Sequence, residues 1–168
     1  LKVTDIPVGK LRDKGTPIEN ISKYDGKTER ILMLTSLEQI MGKKLIFATR
    51  MASVKVVPAE EFITNNRAVA STKFQDDDKL VTVRAAAEGD VVLQTMNGYF
   101  LRFPCGEISE MKKNSKGVRG IKLERDDELE HLYLVDEDGT ILYKKKEVQL
   151  NRLKLAKRDG KGTKVRLS

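Results

Sequence analysis

Few residues in this chain of 168 are of a type and spacing that could perform covalent chemistry. Cys105 is the only cysteine, which excludes an internal disulfide and any cysteine-cluster zinc site, and the single histidine, His131, argues against a histidine-based metal centre. Tyr24, Tyr99, Tyr133 and Tyr143 share no surrounding motif, and no Ser/His/Asp, Cys/His or phosphate-loop pattern occurs. Carboxylates cluster at Asp76-Asp77-Asp78 and Asp126-Asp127-Glu128, but both clusters read as turns, where Asp is at home. Asp136-Glu137-Asp138-Gly139 resembles the start of a calcium loop. Thr140 replaces its third ligand and no glutamate closes it, so a hairpin turn is expected there instead.

What remains is the chemistry of fixed positive charge. The formal net charge is +7, and residues 141–168 hold ten Lys or Arg against two acids. Basic charge gathered at one end is the electrostatic footprint of a site for a polyanion, with nucleic acid first and an anionic membrane surface second. No basic amphipathic helix supports the membrane reading, and no long apolar run or secretion signal is readable. The expected compartment is therefore the cytosol, and the expected partner is not a membrane.

The elements that must position this charge emerge when the chain is slid along itself. Residues 45–62 lie over 91–108 without gaps at an offset of 46, matching Thr49 to Thr95, Pro58 to Pro104 and Glu61 to Glu107. Residues 67–83 lie over 116–132 at an offset of 49. The start of the chain supplies a further copy: residues 1–7 fit the strand ending in Pro58 or Pro104, and 14–21 fit the segment beginning at Lys116. Residues 161–167 supply a last one. The repeats run approximately over 1–43, 44–89, 90–136 and 137–168.

Each complete unit reads as β. Residues 91–96 and 99–103 flank Asn97-Gly98, a pair suited to a type I′ hairpin turn. A third strand is expected over 118–123 and a fourth over 129–135, with His131 an ordinary strand residue. Four short antiparallel strands per unit of about 47 residues is the blade size of propeller-like folds, which dispose of sheet edges by radial repetition. The last unit is a strand short and the first begins mid-repeat, so two full blades and parts of two more are expected.

The order of strand, Asn97-Gly98, a strand ending Arg102-Phe103-Pro104, a basic glycine loop, the run Gly117 to Leu123 and an acidic turn resembles the C-terminal domain of bacterial type IIA topoisomerase A subunits, those of DNA gyrase and topoisomerase IV. The resemblance covers essentially the whole chain. It implies a β-pinwheel whose basic outer rim binds and bends duplex DNA, with the cleaving tyrosine in a separate N-terminal region. It also implies as partners the ATPase B subunit together with the remainder of the A subunit, with ATP and Mg2+ serving the parent enzyme and no cofactor in this part. Gyrases of this family carry a box reading Q-R-R-G-G-K-G. Residues 156–162 are its nearest counterpart: Arg158, Gly160, Lys161 and Gly162 agree, Lys157 is a conservative replacement, and Ala156 and Asp159 depart. The box belongs to the family's first blade, whereas this copy lies at the end of the chain.

The expected DNA contacts are the basic loops before the third strand of each repeat. They are Arg12 and Lys14, then Arg67, then Lys112, Lys113, Lys116 and Arg119, and last Lys157, Arg158, Lys161 and Lys164. Gly15, Gly117, Gly160 and Gly162 would let the backbone approach phosphate. Lys144 to Lys146 and Arg152 to Lys154 form a second tier. The competing class is a propeller-like protein-interaction module, and an RNA-binding array is a third option. Only 5% of residues are aromatic and none is Trp, which argues against an adhesive hot-spot surface and against base stacking on single strands.

Overall fold

Strand runs such as KLIFAT and SVKVVP are apolar on nearly every residue, the pattern of a strand covered on both faces. In the computed structural model, which describes residues 2–66, 68–75 and 77–165, that cover is another sheet or segment on each side. Among the described residues ten strands form: β1 (Lys44–Thr49), β2 (Ser53–Pro58), β3 (Leu80–Ala85), β4 (Asp90–Thr95), β5 (Tyr99–Pro104), β6 (Val118–Arg119), β7 (Leu129–Leu134), β8 (Thr140–Tyr143), β9 (Lys146–Gln149) and β10 (Thr163–Lys164). They assemble into two four-stranded sheets, ordered β3-β1-β2-β6 and β10-β5-β4-β7, and a two-stranded sheet β8-β9, with every pairing antiparallel.

The sheets stack as layers. Ile46, Ala48, Val54 and Val56 of the first sheet meet Val91, Leu93, Leu101, Phe103, Leu132 and Leu134 of the second in the central core. Burial of a large aliphatic or aromatic side chain contributes about 1.5–3 kcal/mol, so this seam holds the two sheets together. On its far face the second sheet packs Val92 and Phe100 against Tyr143, Val148 and Leu150. The opposite face of the first sheet carries Leu45, Phe47 and Val57, covered by Met33, Ile40 and Phe62.

In the third and fourth repeats the strand after the basic loop leaves its own unit, while among the described residues the second repeat forms no strand between β2 and β3. Val118–Arg119 of the third repeat pairs with Ser53 and Val54 and so closes the first sheet, and Thr163–Lys164 of the fourth pairs with Phe100 and Tyr99 and closes the second. A unit therefore does not complete its own blade, as an alternating pattern alone had suggested. Ile121 is the cause: it is fully buried in the central seam, which it reaches only if the chain ahead of it lies on the neighbouring sheet. Gly117 (φ +98°) and Gly162 (φ +76°) make the crossing possible, because a Cβ there would come within 2.8 Å of the Val54 carbonyl oxygen and 2.7 Å of the Phe100 carbonyl oxygen. The strand expected over 118–123 ends at Arg119. Past it, the Gly120 amide donates to the Ala52 carbonyl (2.7 Å) and the Lys122 amide to that of Gly160 (2.8 Å), turning the chain toward the fourth repeat.

Residues 2–43 contain no strand. They form a 3-10 turn at Val3–Asp5 and two single helical turns, α1 (Ile18–Ile21) and α2 (Leu37–Ile40), so the strand expected at 1–7 and the crossing strand expected at 14–21 are both corrected. A crossing strand needs the outer edge of a preceding sheet, and among the described residues no sheet precedes β1.

The hairpin at Asn97-Gly98 forms with a different turn. Only Gly98 is left-handed (φ +81°), its amide donates to the Thr95 carbonyl (2.9 Å), and the loop is three residues long. The matching hairpin of the first sheet places Ala52 in the same conformation (φ +60°). The two-residue left-handed turn occurs instead at Lys144 (φ +46°) and Lys145 (φ +69°), between β8 and β9. Neither is glycine or asparagine, and each carries a left-handed penalty on the order of 1 kcal/mol. Replacing the pair with Asn-Gly is expected to stabilise the chain by about 1 kcal/mol, and a thermal melt should rise by roughly 3 °C. Residues 136–139 do not form the expected hairpin turn. Val135–Asp138 is one helical turn, α3, which ends at Gly139 (φ +56°) and connects two different sheets.

Candidate nucleic-acid interface

The crossing segments put two equivalent loops on the outer edges of adjacent sheets. Lys112-Lys113-Asn114-Ser115-Lys116-Gly117 lies over Lys157-Arg158-Asp159-Gly160-Lys161-Gly162 at an offset of 45. Each loop is anchored alike. The Met111 amide donates to the Val56 carbonyl (2.8 Å) and the Ala156 amide to the Arg102 carbonyl (2.9 Å).

The second position of each loop turns inward. Lys113 Nζ donates to the Glu61 carbonyl (2.8 Å), and Arg158 Nε donates to the Glu107 carbonyl (3.0 Å), the matching residue one repeat later. Arg158 also donates through its guanidinium to the Arg119 carbonyl, and its backbone amide donates to the Glu107 carboxylate (2.8 Å). These two cations tie each repeat to the one before it. The first and fifth positions face solvent: Lys112, Lys116, Lys157 and Lys161 are exposed. Lys161 is paired with Glu124 (2.6 Å), which raises the ammonium pKa, while the other three have no protein counter-ion among the described residues. Lys161 and Lys164 sit over the Tyr99 ring, at 5.8 and 5.3 Å from its centroid.

Arg119 and Lys164 occupy matching places on the crossing strands. Arg119 forms a two-point ion pair with Asp159 through Nε and a terminal nitrogen, holding the carboxyl below its ordinary range. Beside Arg119 lies a cleft of about 340 Å³ lined by Met51, Ser53, Lys73, Gln75, Asp78, Lys116 and Gly117. Lys73 and Gln75 escaped the sequence reading, although Lys73 lies over Lys122 at the offset of 49 that joins the two repeats.

Beneath the first loop is a buried lysine that the sequence reading also passed over. Lys55 Nζ donates to the carbonyls of Lys113 (2.5 Å), Ser115 (2.8 Å) and Ser71 (3.1 Å) and lies 5.3 Å from the Phe47 ring centroid. Burial pushes its pKa down to about 8. The signal was present: Lys55 lies over Leu101 at the offset of 46, so a cation stands where the next sheet has a core leucine.

The sheets thus bring together Lys112, Lys116 and Arg119 with Lys157, Arg158, Lys161 and Lys164. Arg12 and Lys14 are exposed on the N-terminal segment, with no hydrogen bond to either loop among the described residues. Arg67 lies outside the described residues, as does Asp76 of the first acidic turn. Gly117 and Gly162 face the carbonyls of the preceding strand, so their lack of a side chain serves sheet docking. The buried carboxylates of the acidic turns are spent on backbone amides. Asp78 accepts from Met51 (2.9 Å) and Lys79 (2.8 Å), and Asp127 from Asn97 (3.0 Å) and Glu128 (2.9 Å), fixing the two hairpin tips.

Comparisons with known proteins agree with this architecture. The profile of the family described as "DNA gyrase C-terminal domain, beta-propeller" matches residues 43–87 and 89–136, more than half of the chain. The DNA gyrase A protein of Lawsonia intracellularis is 33% identical over 125 residues, covering 73% of this chain and 15% of that protein. Its Chlamydia trachomatis counterpart is 30% identical over 147 residues, covering 84% and 18%. The chain therefore spans less than a fifth of these relatives. Among solved structures, the C-terminal domain of DNA topoisomerase IV superposes with a TM-score of 0.83 at 23% identity, covering 96% of this chain and 53% of that one. A DNA gyrase A C-terminal domain gives 0.74 at 18% identity, covering 90% and 53%. With the repeats, the stacked four-stranded sheets and the family match in agreement, the chain belongs to the DNA gyrase C-terminal domain family and has its β-pinwheel fold.

Proposed function

We propose that this chain is a non-catalytic part of a cytoplasmic type IIA topoisomerase A subunit that binds duplex DNA on its basic rim and bends it, supporting supercoiling or decatenation by the parent enzyme. The observation that carries this reading is the repetition of one basic loop, Lys112–Gly117 and 157–162, on the outer edges of two adjacent sheets. Each cation that neutralises a phosphate releases counterions, so affinity comes without sequence preference and falls steeply with salt. Two such loops on successive layers would hold the duplex at separated points along the rim, so that it bends between them. Bending 20–30 base pairs costs on the order of a few kcal/mol, which several phosphate contacts offset.

The expected partners are the ATPase B subunit, together with the rest of the A subunit, whose cleaving tyrosine belongs to another region. ATP and Mg2+ are expected to serve the parent enzyme elsewhere: among the described residues no group of three His, Cys, Asp or Glu could hold a metal ion, and Asp78 and Asp127 each accept two backbone amides through one carboxylate oxygen. No helix among the described residues is long and apolar enough to cross a membrane.

Lys112→Ala/Lys116→Ala/Lys157→Ala should weaken duplex affinity at least tenfold at 0.1 M salt and reduce the slope of log affinity against log salt by roughly 3. Chiral wrapping, the strong form of that bending, is tested by sealing a nicked plasmid with ligase in the presence of the chain and reading its linking number after the protein is removed. A shift relative to the protein-free control supports the reading. An unshifted distribution at saturating occupancy means that the rim only holds or gently bends the duplex.

A further inference from the structure

One carboxylate on the rim is held by an arginine and not by the backbone amides that take Asp78 and Asp127. Asp159 lies in a left-handed conformation (φ +68°), and three cations converge on its side chain: Arg119, paired at two points, with Arg158 and Lys122 close enough to favour its charge. The loop's backbone anchors do not involve that carboxylate, because the Asp159 amide donates to Gly120 and the Gly160 carbonyl accepts from Lys122. The matching loop carries a neutral Asn114 at this place and is held differently, its Ser115 carbonyl accepting from Lys55 Nζ (2.8 Å) and Thr72 Oγ1 (3.3 Å). Asp159 therefore puts a planar, two-oxygen anion on a guanidinium that otherwise borders the cleft of Lys73 and Lys116.

We infer that Arg119 is the centre of a phosphate-binding site in which the Asp159 carboxylate stands in for the phosphate, so that Asp159 is a built-in attenuator of duplex binding. This rests on the proposal that the rim binds DNA. The guanidinium fork that fits a carboxylate also fits a phosphate oxygen pair. The pair is accessible, with side chains 58% and 37% exposed, and exposed ion pairs are held weakly, so a duplex can displace the carboxylate at the cost of one lost ion pair. Removing the negative charge would leave the fork open to DNA from the outset.

The test is a double-mutant cycle on the full 168-residue chain, read as affinity for a labelled duplex across a salt series. Asp159→Asn keeps the shape, and asparagine tolerates the left-handed backbone of this position, so the loop should stay folded. It is expected to bind about tenfold tighter than the wild type at 0.1 M salt, with a salt slope steeper by roughly 1. In an Arg119→Ala background the same replacement should give little gain. Asp126→Asn, which removes the same charge from an exposed turn, should give little gain either. Unchanged or weaker binding by Asp159→Asn overturns the inference, as does a gain that persists without Arg119 or is matched by Asp126→Asn. Failure of the rim reading looks different: neither the wild type nor Asp159→Asn would show salt-dependent duplex binding.

Discussion

Replacing Gly117 with alanine is expected to destabilise the chain by about 3 kcal/mol and Gly162→Ala by a similar amount, while Gly15→Ala should cost only the left-handed backbone penalty, about 1 kcal/mol. All three glycines follow a lysine and have positive φ, at +98°, +76° and +71°. What differs is the space. A Cβ at Gly117 would meet Ser53 Oγ at 2.7 Å and the Val54 carbonyl oxygen at 2.8 Å, and one at Gly162 would meet the Phe100 carbonyl oxygen at 2.7 Å, whereas Gly15 has nothing within 4 Å. Those carbonyls belong to the second strand of a hairpin paired on both edges, so they cannot retreat without loosening β1-β2 or β4-β5. Two costs add: left-handed backbone for a residue with a Cβ, and steric conflict with an immobile strand. Denaturant unfolding measures the total. Because β6 carries Arg119 and leads from Lys116, Gly117→Ala should also weaken duplex binding under conditions where the chain remains folded.

The second large effect belongs to Lys55. At pH 7, Lys55→Ala is expected to cost about 3 kcal/mol, from the void left by the stem and the loss of donors to three carbonyls. Amide exchange should accelerate most across the 112–116 loop, since two of those carbonyls lie in it. Lys55→Met separates the charge from the packing. The folded chain releases the Lys55 proton near pH 8, while the unfolded chain keeps it to about 10.5. Between these values the unfolded state binds more protons, so stability rises with pH; below about 8 both states are charged and the full cost of burying the ammonium is present. Cys105, whose thiol burial pushes upward, works in the opposite sense above pH 9, because the folded state then retains the extra proton. The wild-type stability minus that of Lys55→Met cancels the thiol. That difference should climb between pH 7 and 10, and a flat difference would show that the ammonium is solvated in the folded state.

The strands were legible because covered strands leave apolar runs, and the 46-residue offset related one set to the next: β4, β5 and β7 lie within a residue of where the pattern puts them. Partner choice was not legible. Alternation says which face of a strand is buried, and it does not say which edge the strand joins, so the passage of β6 and β10 onto neighbouring sheets had to come from Ile121 and the glycine contacts. The basic loops were found for the same reason as the strands, by repetition. Which cations point outward was hidden, since Lys112 and Lys113 are the same residue type with opposite tasks. The match of Glu61 to Glu107 carried part of that information, because those two backbone carbonyls receive Lys113 and Arg158. Lys55 was hidden by the habit of reading a lone lysine in a strand as a solvated one.

The most direct test of the central claim, that the rim is a phosphate-binding surface, is the affinity of the wild-type chain for a 30-base-pair duplex of arbitrary sequence between 50 and 200 mM salt. With about four phosphate contacts the affinity should fall by roughly two orders of magnitude over that range, equally for unrelated sequences. An affinity that holds constant across the range, or no binding at 50 mM, would contradict the account.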